Sequence, residues 1–397
     1  MGLKKVILCA IAASMLLTGC AAKDGTVSSG EKNSQTVQTE EKTGQMERTY
    51  EAEEQYVKML GRTHSENGIL WLAHSASGVE FKVKGTKCSV KIIGDSMIAA
   101  EDNQARFAAF VDGERVVDEM ITQSEVTYDV FSYDEEKEVT VRLMKISEAA
   151  NSILGIDEIT VTSESDIAPT EENELKIEFI GDSITCGYGV DDEDRDHHFS
   201  TKTEDATKAY AYKTAELLNA DYSLVSYSGH GIISGYTTQG KKVIAQQLPK
   251  KYDRFAVSGG NGSDGFSAAA VDWDFTKFVP DIIVINLGTN DCSYTGKDEA
   301  LIKEYSESYT KFLAKVRKNN ADAHIICTLG VMGADLYNAM CEAAENYTAE
   351  TGDENISTFR LSTQDGSTGF AADWHPTAAT HDIAAAELAD YINASVL

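Results

Sequence analysis

The chain has 397 residues, 42% of them hydrophobic and 25% charged, which is globular composition with enough apolar side chains for more than one core. Asp and Glu number 64 against 35 Lys and Arg, giving a formal net charge of −29. Such an excess of negative charge argues against nucleic acid or an anionic membrane surface as a partner, and leaves a neutral polymer unopposed.

The N-terminus reads as an export segment. Lys4 and Lys5 precede an apolar run, Val6 to Leu17, too short to cross a bilayer as a helix. The run ends in Leu17-Thr18-Gly19-Cys20, which resembles the bacterial lipobox. That resemblance implies a signal peptide over residues 1–19 and acylation of Cys20. It also implies an extracytoplasmic protein held to the membrane by its lipid. Residues 20–48 are dominated by polar and small side chains, which predicts a disordered tether. Beyond Cys9 and Cys20, five cysteines are scattered without a C-x-x-C pair, so neither a zinc site nor a disulfide scaffold is expected.

Residues 49–168 predict an all-β domain, a sandwich or jelly roll. Val79 to Val83 and Ser89 to Ile92 alternate apolar and polar, and Asp112-Gly113 is a hairpin signal. Val126 to Phe131, Val139 to Leu143 and Ile156 to Val161 continue the series. After a polar connector with Pro169 the pattern changes. From residue 173 to 397, short apolar runs (Leu175 to Ile180, Ser223 to Tyr227, Asp281 to Leu287, Ala323 to Leu329) alternate with helical stretches at 206–219, 298–318, 335–350 and 378–395. This predicts parallel strands between two helical layers, with ligands at the carboxyl ends of the strands.

Four motifs fall at those ends or before the last helix. Gly181-Asp182-Ser183-Ile184-Thr185 follows the first strand and presents a hydroxyl that a base must activate. Ser228-Gly229-His230-Gly231 follows the second, where a bare glycine N–H suits an oxyanion. Gly288-Thr289-Asn290-Asp291 follows the third, and an Asn amide donates hydrogen bonds without charge. Asp373-Trp374-His375-Pro376 precedes the final helix, where Pro376 suits the first helical position and pushes His375 into an extended conformation. Each motif alone is a common turn or cap. Together, in this order, Ser183, Gly229, Asn290 and His375 resemble the signature of the SGNH hydrolases, also called the GDSL family, from Asn173 to the C-terminus.

The resemblance implies a flavodoxin-like three-layer α/β/α domain. It implies Ser183 as nucleophile and His375 as general base and then acid. The oxyanion hole would comprise the Ser183 N–H, the Gly229 N–H and the Asn290 side chain, with no cofactor or metal. The β-rich segment, the extended Gly181–Gly189 block and Asp-Trp-His-Pro also resemble carbohydrate esterase family 2. This narrower likeness implies removal of O-acetyl groups from xylan or related plant polysaccharide. The alternatives are acetyl groups of a cell-wall or capsular polymer, a lipid ester, or a non-catalytic carbohydrate-binding lipoprotein.

Most SGNH enzymes place an aspartate three residues before the histidine. Here that position is Ala372, and Asp373 lies two before. In an extended backbone, residues two apart share a side, so Asp373 is a candidate third member of a triad. The other reading is a Ser–His dyad whose imidazole is oriented by a backbone carbonyl. Trp374, beside the histidine, is a candidate sugar-stacking platform. The acidic run Asp191 to Asp196 lacks the glycine turn and terminal glutamate of a calcium loop and reads as solvated. His197 and His198 read as surface, and His230 as a pocket-lining residue without an assigned role.

Overall fold

The structure, a computed structural model, describes residues 44–262 and 265–397. The export segment, Cys20 and the tether up to residue 43 lie outside the described residues. Gly44 to Leu397 form one compact unit. Within it an antiparallel β-sheet domain is followed by a parallel-sheet α/β domain.

The first domain begins earlier than its composition suggests. Met46–Tyr50 is a strand paired antiparallel with Leu154–Ser163, so the expected tether does not extend through residue 48. Tyr50 explains the difference, because it is buried and donates to Asp166, tying a polar segment to the sheet. Two long strands organise the rest. Ser77–Gly94 and Glu125–Lys145 pair along almost their whole length, with register shifts between Gly85 and Lys87 and between Cys88 and Ser89. The sequence suggested separate short strands here, but the charged stretch Asp134 to Lys137 continues the second strand instead of turning it. Both halves of the long strands contribute to one core. Val79, Phe81, Val141 and Leu143 share it with Val90, Ile92, Leu72 and Ile156. Alternate residues of each strand thus fill the interior of a sandwich.

The second domain has five parallel strands in the order Ala220–Ser226, Leu175–Gly181, Ile282–Asn286, His324–Val331, Ile356–Thr363. This is the flavodoxin-like order, whose switch point lies between the first strand in sequence and the third. Side-chain alternation builds the three layers. Ile282 and Val284 pack with Tyr210, Ala211, Ala385 and Leu388 on one face. Ile283 and Ile285 pack with Tyr305, Tyr309, Leu313 and Met340 on the other. The edge strand Ile356–Thr363 was not apparent in the sequence, since only Leu361 of its eight residues is buried and the rest are largely polar.

The two domains share their interior. Trp71, Ala73, Ala149 and Ile153 of the β region join Ile180, Val225 and Tyr227 in one cluster. The fully buried Arg62 reaches from the β domain to Glu178 on the strand Leu175–Gly181 at 3.2 Å, and donates to the carbonyls of Tyr252 and Arg254.

Candidate active site

Ser183 starts a one-turn helix, Ser183–Cys186, directly after the strand Leu175–Gly181. Asp182 caps it, accepting from the Ile184 N–H at 3.1 Å, and Gly187 closes it in a left-handed conformation. Gly181 is required by close approach, because a Cβ there would lie 2.0 Å from Thr185 Oγ1. Ser183 Oγ lies 2.9 Å from His375 Nε2. Both side chains are buried, Ser183 at the start of its one-turn helix and His375 on the segment that enters the last helix.

His375 Nδ1 lies 3.1 Å from the carbonyl oxygen of Ala372. A carbonyl only accepts, so Nδ1 carries the proton and Nε2 is left free to accept from the serine hydroxyl. This corrects the expectation of Asp373 as a triad member. Asp373 and Trp374 both have left-handed backbone (φ 48° and 63°), so the segment turns rather than extends, and residues two apart no longer share a side. The Asp373 carboxylate faces elsewhere. It accepts from the Tyr188 hydroxyl at 2.5 Å and lies 2.9 Å from His198 Nδ1. His198 therefore contacts the histidine block although its ring is otherwise exposed. His375 itself is extended, as Pro376 dictates, but the final helix starts at Ala378 with Thr377 as its cap, so Pro376 stands before the helix.

Tyr188 covers the imidazole. Its ring lies 3.8 Å from that of His375 at an interplanar angle of 18°. Burial lowers the His375 pKa to about 4, only partly opposed by the Ala372 carbonyl and the Asp373 charge. Burial raises the Asp373 carboxyl, but its bonds to Tyr188 and His198 outweigh this and hold it below the usual carboxylate range.

Gly229 lies in the loop after Ala220–Ser226 with φ 73°, the left-handed region that glycine enters freely. Asn290 sits in the first turn of the helix Thr289–Thr295 and is buried. Its Nδ2 donates to Asp182 Oδ2 at 3.0 Å and to the His230 carbonyl at 2.9 Å. Both amide hydrogens are thus engaged in the free site, and donation to an acyl oxygen requires one of them to be shared or released. Asp182, buried and close to Asp291, has its pKa raised to about 7. The neighbouring Asp291 carboxylate accepts the N–H groups of Ile232, Ile233 and Ser234, at 2.7–3.0 Å, and so anchors the loop that carries Gly229. The structure therefore brings the four motif blocks to one end of the sheet, at its switch point.

The sequence matches the family described as GDSL-like Lipase/Acylhydrolase over residues 179–383. The chain belongs to this family. Residues 59–170 match the carbohydrate esterase 2 N-terminal domain. A cellulase/esterase of Acetivibrio thermocellus is 33% identical over 323 residues, which cover 80% of this chain and 36% of that protein. The chain thus spans about a third of that relative's length. An acetylxylan esterase/glucomannan deacetylase of Cellvibrio japonicus is 25% identical over 347 residues, 86% of this chain and 89% of that one. Among solved structures, an acetyl xylan esterase from the rumen bacterium Butyrivibrio proteoclasticus superposes with a TM-score of 0.80 at 26% identity, covering 89% and 99% of the two chains. A family two carbohydrate esterase from Clostridium thermocellum, in complex with cellohexaose, has a TM-score of 0.71 at 30% identity, covering 86% and 99%.

In this GDSL-family chain the surroundings of the histidine also include an aromatic rim. Trp374 is 48% exposed, with the Arg195 guanidinium 4.1 Å from its ring and Phe370 5.1 Å away. Arg195 and Phe370 both line a cleft of about 660 Å³ together with Asp192, Asp194 and Asp196. The acidic run is thus a wall of this cleft. The cysteines Cys88, Cys186, Cys292, Cys327 and Cys341 are all unbridged. Sequence reasoning missed the contact of Tyr188 with the imidazole, although its position five residues after Ser183, directly after the Gly187 turn, keeps it near that serine.

Proposed function

We propose that the chain is a serine esterase that removes O-acetyl groups from xylan-type polysaccharide through an acetyl-enzyme. The observation that carries this reading is the 2.9 Å contact between Ser183 Oγ and His375 Nε2, with Nδ1 held by a carbonyl. His375 Nε2 takes the hydroxyl proton as Ser183 Oγ attacks the acetyl carbon. The developing oxyanion is met by the Ser183 and Gly229 N–H groups and by Asn290. His375 then gives its proton to the departing sugar oxygen. Water, deprotonated by the same nitrogen, releases acetate and restores the serine. Acetylated carbohydrate as substrate is supported by the names of the relatives and by the matched carbohydrate esterase segment. Trp374, exposed and next to His375 in the chain, offers the sugar a flat apolar face.

The test is hydrolysis of 4-nitrophenyl acetate by the protein and by Ser183→Ala, with acetate release compared on acetylated xylan and acetylated peptidoglycan. Loss of turnover by at least about a thousandfold in the variant is expected, together with preference for xylan. Equal rates in the two proteins reject the mechanism, and preference for peptidoglycan rejects the substrate.

Lipidation belongs to the same proposal. The basic, apolar and Leu17–Cys20 segments support acylation of Cys20 and attachment to the outer side of the membrane. Cys20→Ala is expected to abolish incorporation of labelled palmitate and to move the protein out of the membrane fraction; retention there would reject the anchor.

A further inference from the structure

A buried polar cluster lies beneath the nucleophile, and the β domain contributes Lys145 and Glu148 to it. The segment after the long strand Glu125–Lys145 carries Lys145 to Ala149, all inaccessible to solvent or nearly so. Glu148 projects from it toward the hydrolase loops. Its Oε2 accepts the Ser228 N–H at 2.6 Å and lies 3.7 Å from Cys186 Sγ, at the end of the nucleophile helix. Its Oε1 accepts from Asn151 Nδ2 at 3.1 Å, which fixes the rotation of the carboxylate. The Glu148 backbone is held as well. Its N–H donates to Glu204 Oε2 at 2.9 Å, and its carbonyl accepts from Lys145 Nζ at 2.8 Å. Nothing in acyl transfer as described uses this carboxylate, and burying it is costly, so its position calls for a physical reason.

The reason lies one residue on. Gly229 N–H belongs to the peptide unit whose carbonyl is that of Ser228. A trans peptide is planar, so its N–H points opposite to its C=O. The Ser228 carbonyl accepts from His230 Nδ1 at 2.9 Å, which sets the plane from one side. The Ser228 N–H, bound to Glu148, sets the chain on the other side of the same residue. Gly229 is tied on its far side, its carbonyl accepting the Tyr236 N–H at 2.9 Å, so the direction of its N–H depends further on how Ser228, on the near side, is held. Further along, the loop is secured by Asp291 at Ile232, Ile233 and Ser234. Glu148 is the matching tie on the side approaching Gly229.

We propose that Glu148, supplied by the β domain, is a positioning residue for the oxyanion hole: it holds the Ser228 N–H and so aims the Gly229 N–H at the acyl oxygen. The inference rests on Gly229 having that role in the proposed esterase. It makes the β domain a structural part of the catalytic site as well as its neighbour. Because the carboxylate acts through another residue's backbone, the transition state should suffer from its loss while ground-state binding does not.

The experiment uses the full chain and 4-nitrophenyl acetate, reading kcat and KM separately, with melting temperature as the folding control. Three variants are compared with the wild type and with Ser183→Ala. Glu148→Gln removes the charge but keeps an oxygen at the same reach. Glu148→Asp keeps the charge but withdraws it by one methylene. Glu148→Leu removes the acceptor. The expected result is a fall in kcat of about tenfold to a hundredfold for the Asp and Leu variants, KM within about threefold, and a clearly smaller loss for the Gln variant. A charge needed only for folding or electrostatics predicts the opposite order, with Asp closer to wild type than Gln. That order, or equal kcat in Gln and Asp variants, overturns the proposal. Should the Leu variant not fold, the Gln and Asp pair decides alone. Turnover retained by Ser183→Ala would instead reject the esterase mechanism itself, so the two failures are distinguishable.

Discussion

His375 is buried, and burial favours its neutral form. A general base works only when neutral. With its pKa depressed to about 4, kcat/KM should rise through pH 4 and stay high above it, well below the range of an unperturbed histidine. Asp373 adds negative charge nearby, which raises that pKa slightly. Asp373→Asn is therefore expected to move the acidic limb to lower pH and to change kcat by less than about tenfold, unlike loss of a triad aspartate, which costs about ten-thousandfold. A pH–rate profile of both proteins on 4-nitrophenyl acetate checks this; a ten-thousandfold loss would return Asp373 to the catalytic group. The sequence exposed Ser183 and His375 because each motif abuts a strong apolar run or a helix start. It could not place Asp373, since two consecutive left-handed residues that are neither glycine nor asparagine leave no compositional trace. Glu148 was equally hidden. It sits in an unremarkable segment, and its meaning comes from Ser228, eighty residues away in the chain.

Elements rather than single residues shape the rim of the cleft. The turn Ala372–Trp374 projects its last aromatic ring to solvent against Arg195, and Arg195 belongs to the acidic loop of a neighbouring hollow that Ser183, His375 and Trp374 do not line. An exposed ring there is expected to meet a polymer chain and not a small chromogenic ester. Trp374→Ala is expected to raise KM for acetylated xylan by about tenfold, while kcat/KM for 4-nitrophenyl acetate stays within about threefold. Equal losses on both substrates would place the ring in the chemistry instead of the binding face. The main elements of both sheets were legible from their apolar periodicity. The edge strand Ile356–Thr363 was not, because an edge strand shows solvent much of its surface and so carries polar residues. The long strands were read as fragments for a related reason, since their charged middle portions are exposed.

At the scale of the whole molecule, charged groups are buried where the domains meet. Arg62 has its guanidinium 5.0–5.2 Å from the rings of Tyr252, Trp273 and Phe275, and it faces Glu178. Arg62→Ala takes the cation from that carboxylate, leaving it the hydroxyls of Tyr252 and Ser223, and vacates the space, so a loss of about 3–5 kcal/mol is expected in urea unfolding. A loss below about 1 kcal/mol would mean the pair contributes little to joining the domains. Buried imidazoles and carboxyls also oppose one another in their response to pH. His74, His230, His375 and His381 have pKa values lowered to about 3–4, so acidification below about pH 6.5 protonates the unfolded chain first and destabilises the fold. Asp182 and Asp291 are raised to about 7 and about 6, and Glu148 and Glu204 are raised as well. These groups take up protons in the folded state first, which stabilises it over the same interval. The melting temperature is therefore expected to change by less than about 4 °C between pH 5 and 6.5, as calorimetry can measure. A steep fall on acidification would mean the imidazoles dominate.

The acceptor that orients His375 is a main-chain oxygen, and this has an evolutionary corollary. No codon change at position 372 can delete that atom; only rerouting the turn can displace it. The side chain there is fully buried against Gly189, where even a methyl group added to the glycine would come within 2.7 Å of the Ala372 Cβ. Substituting aspartate at 372 would therefore crowd the loop against Gly189 instead of adding a helpful charge.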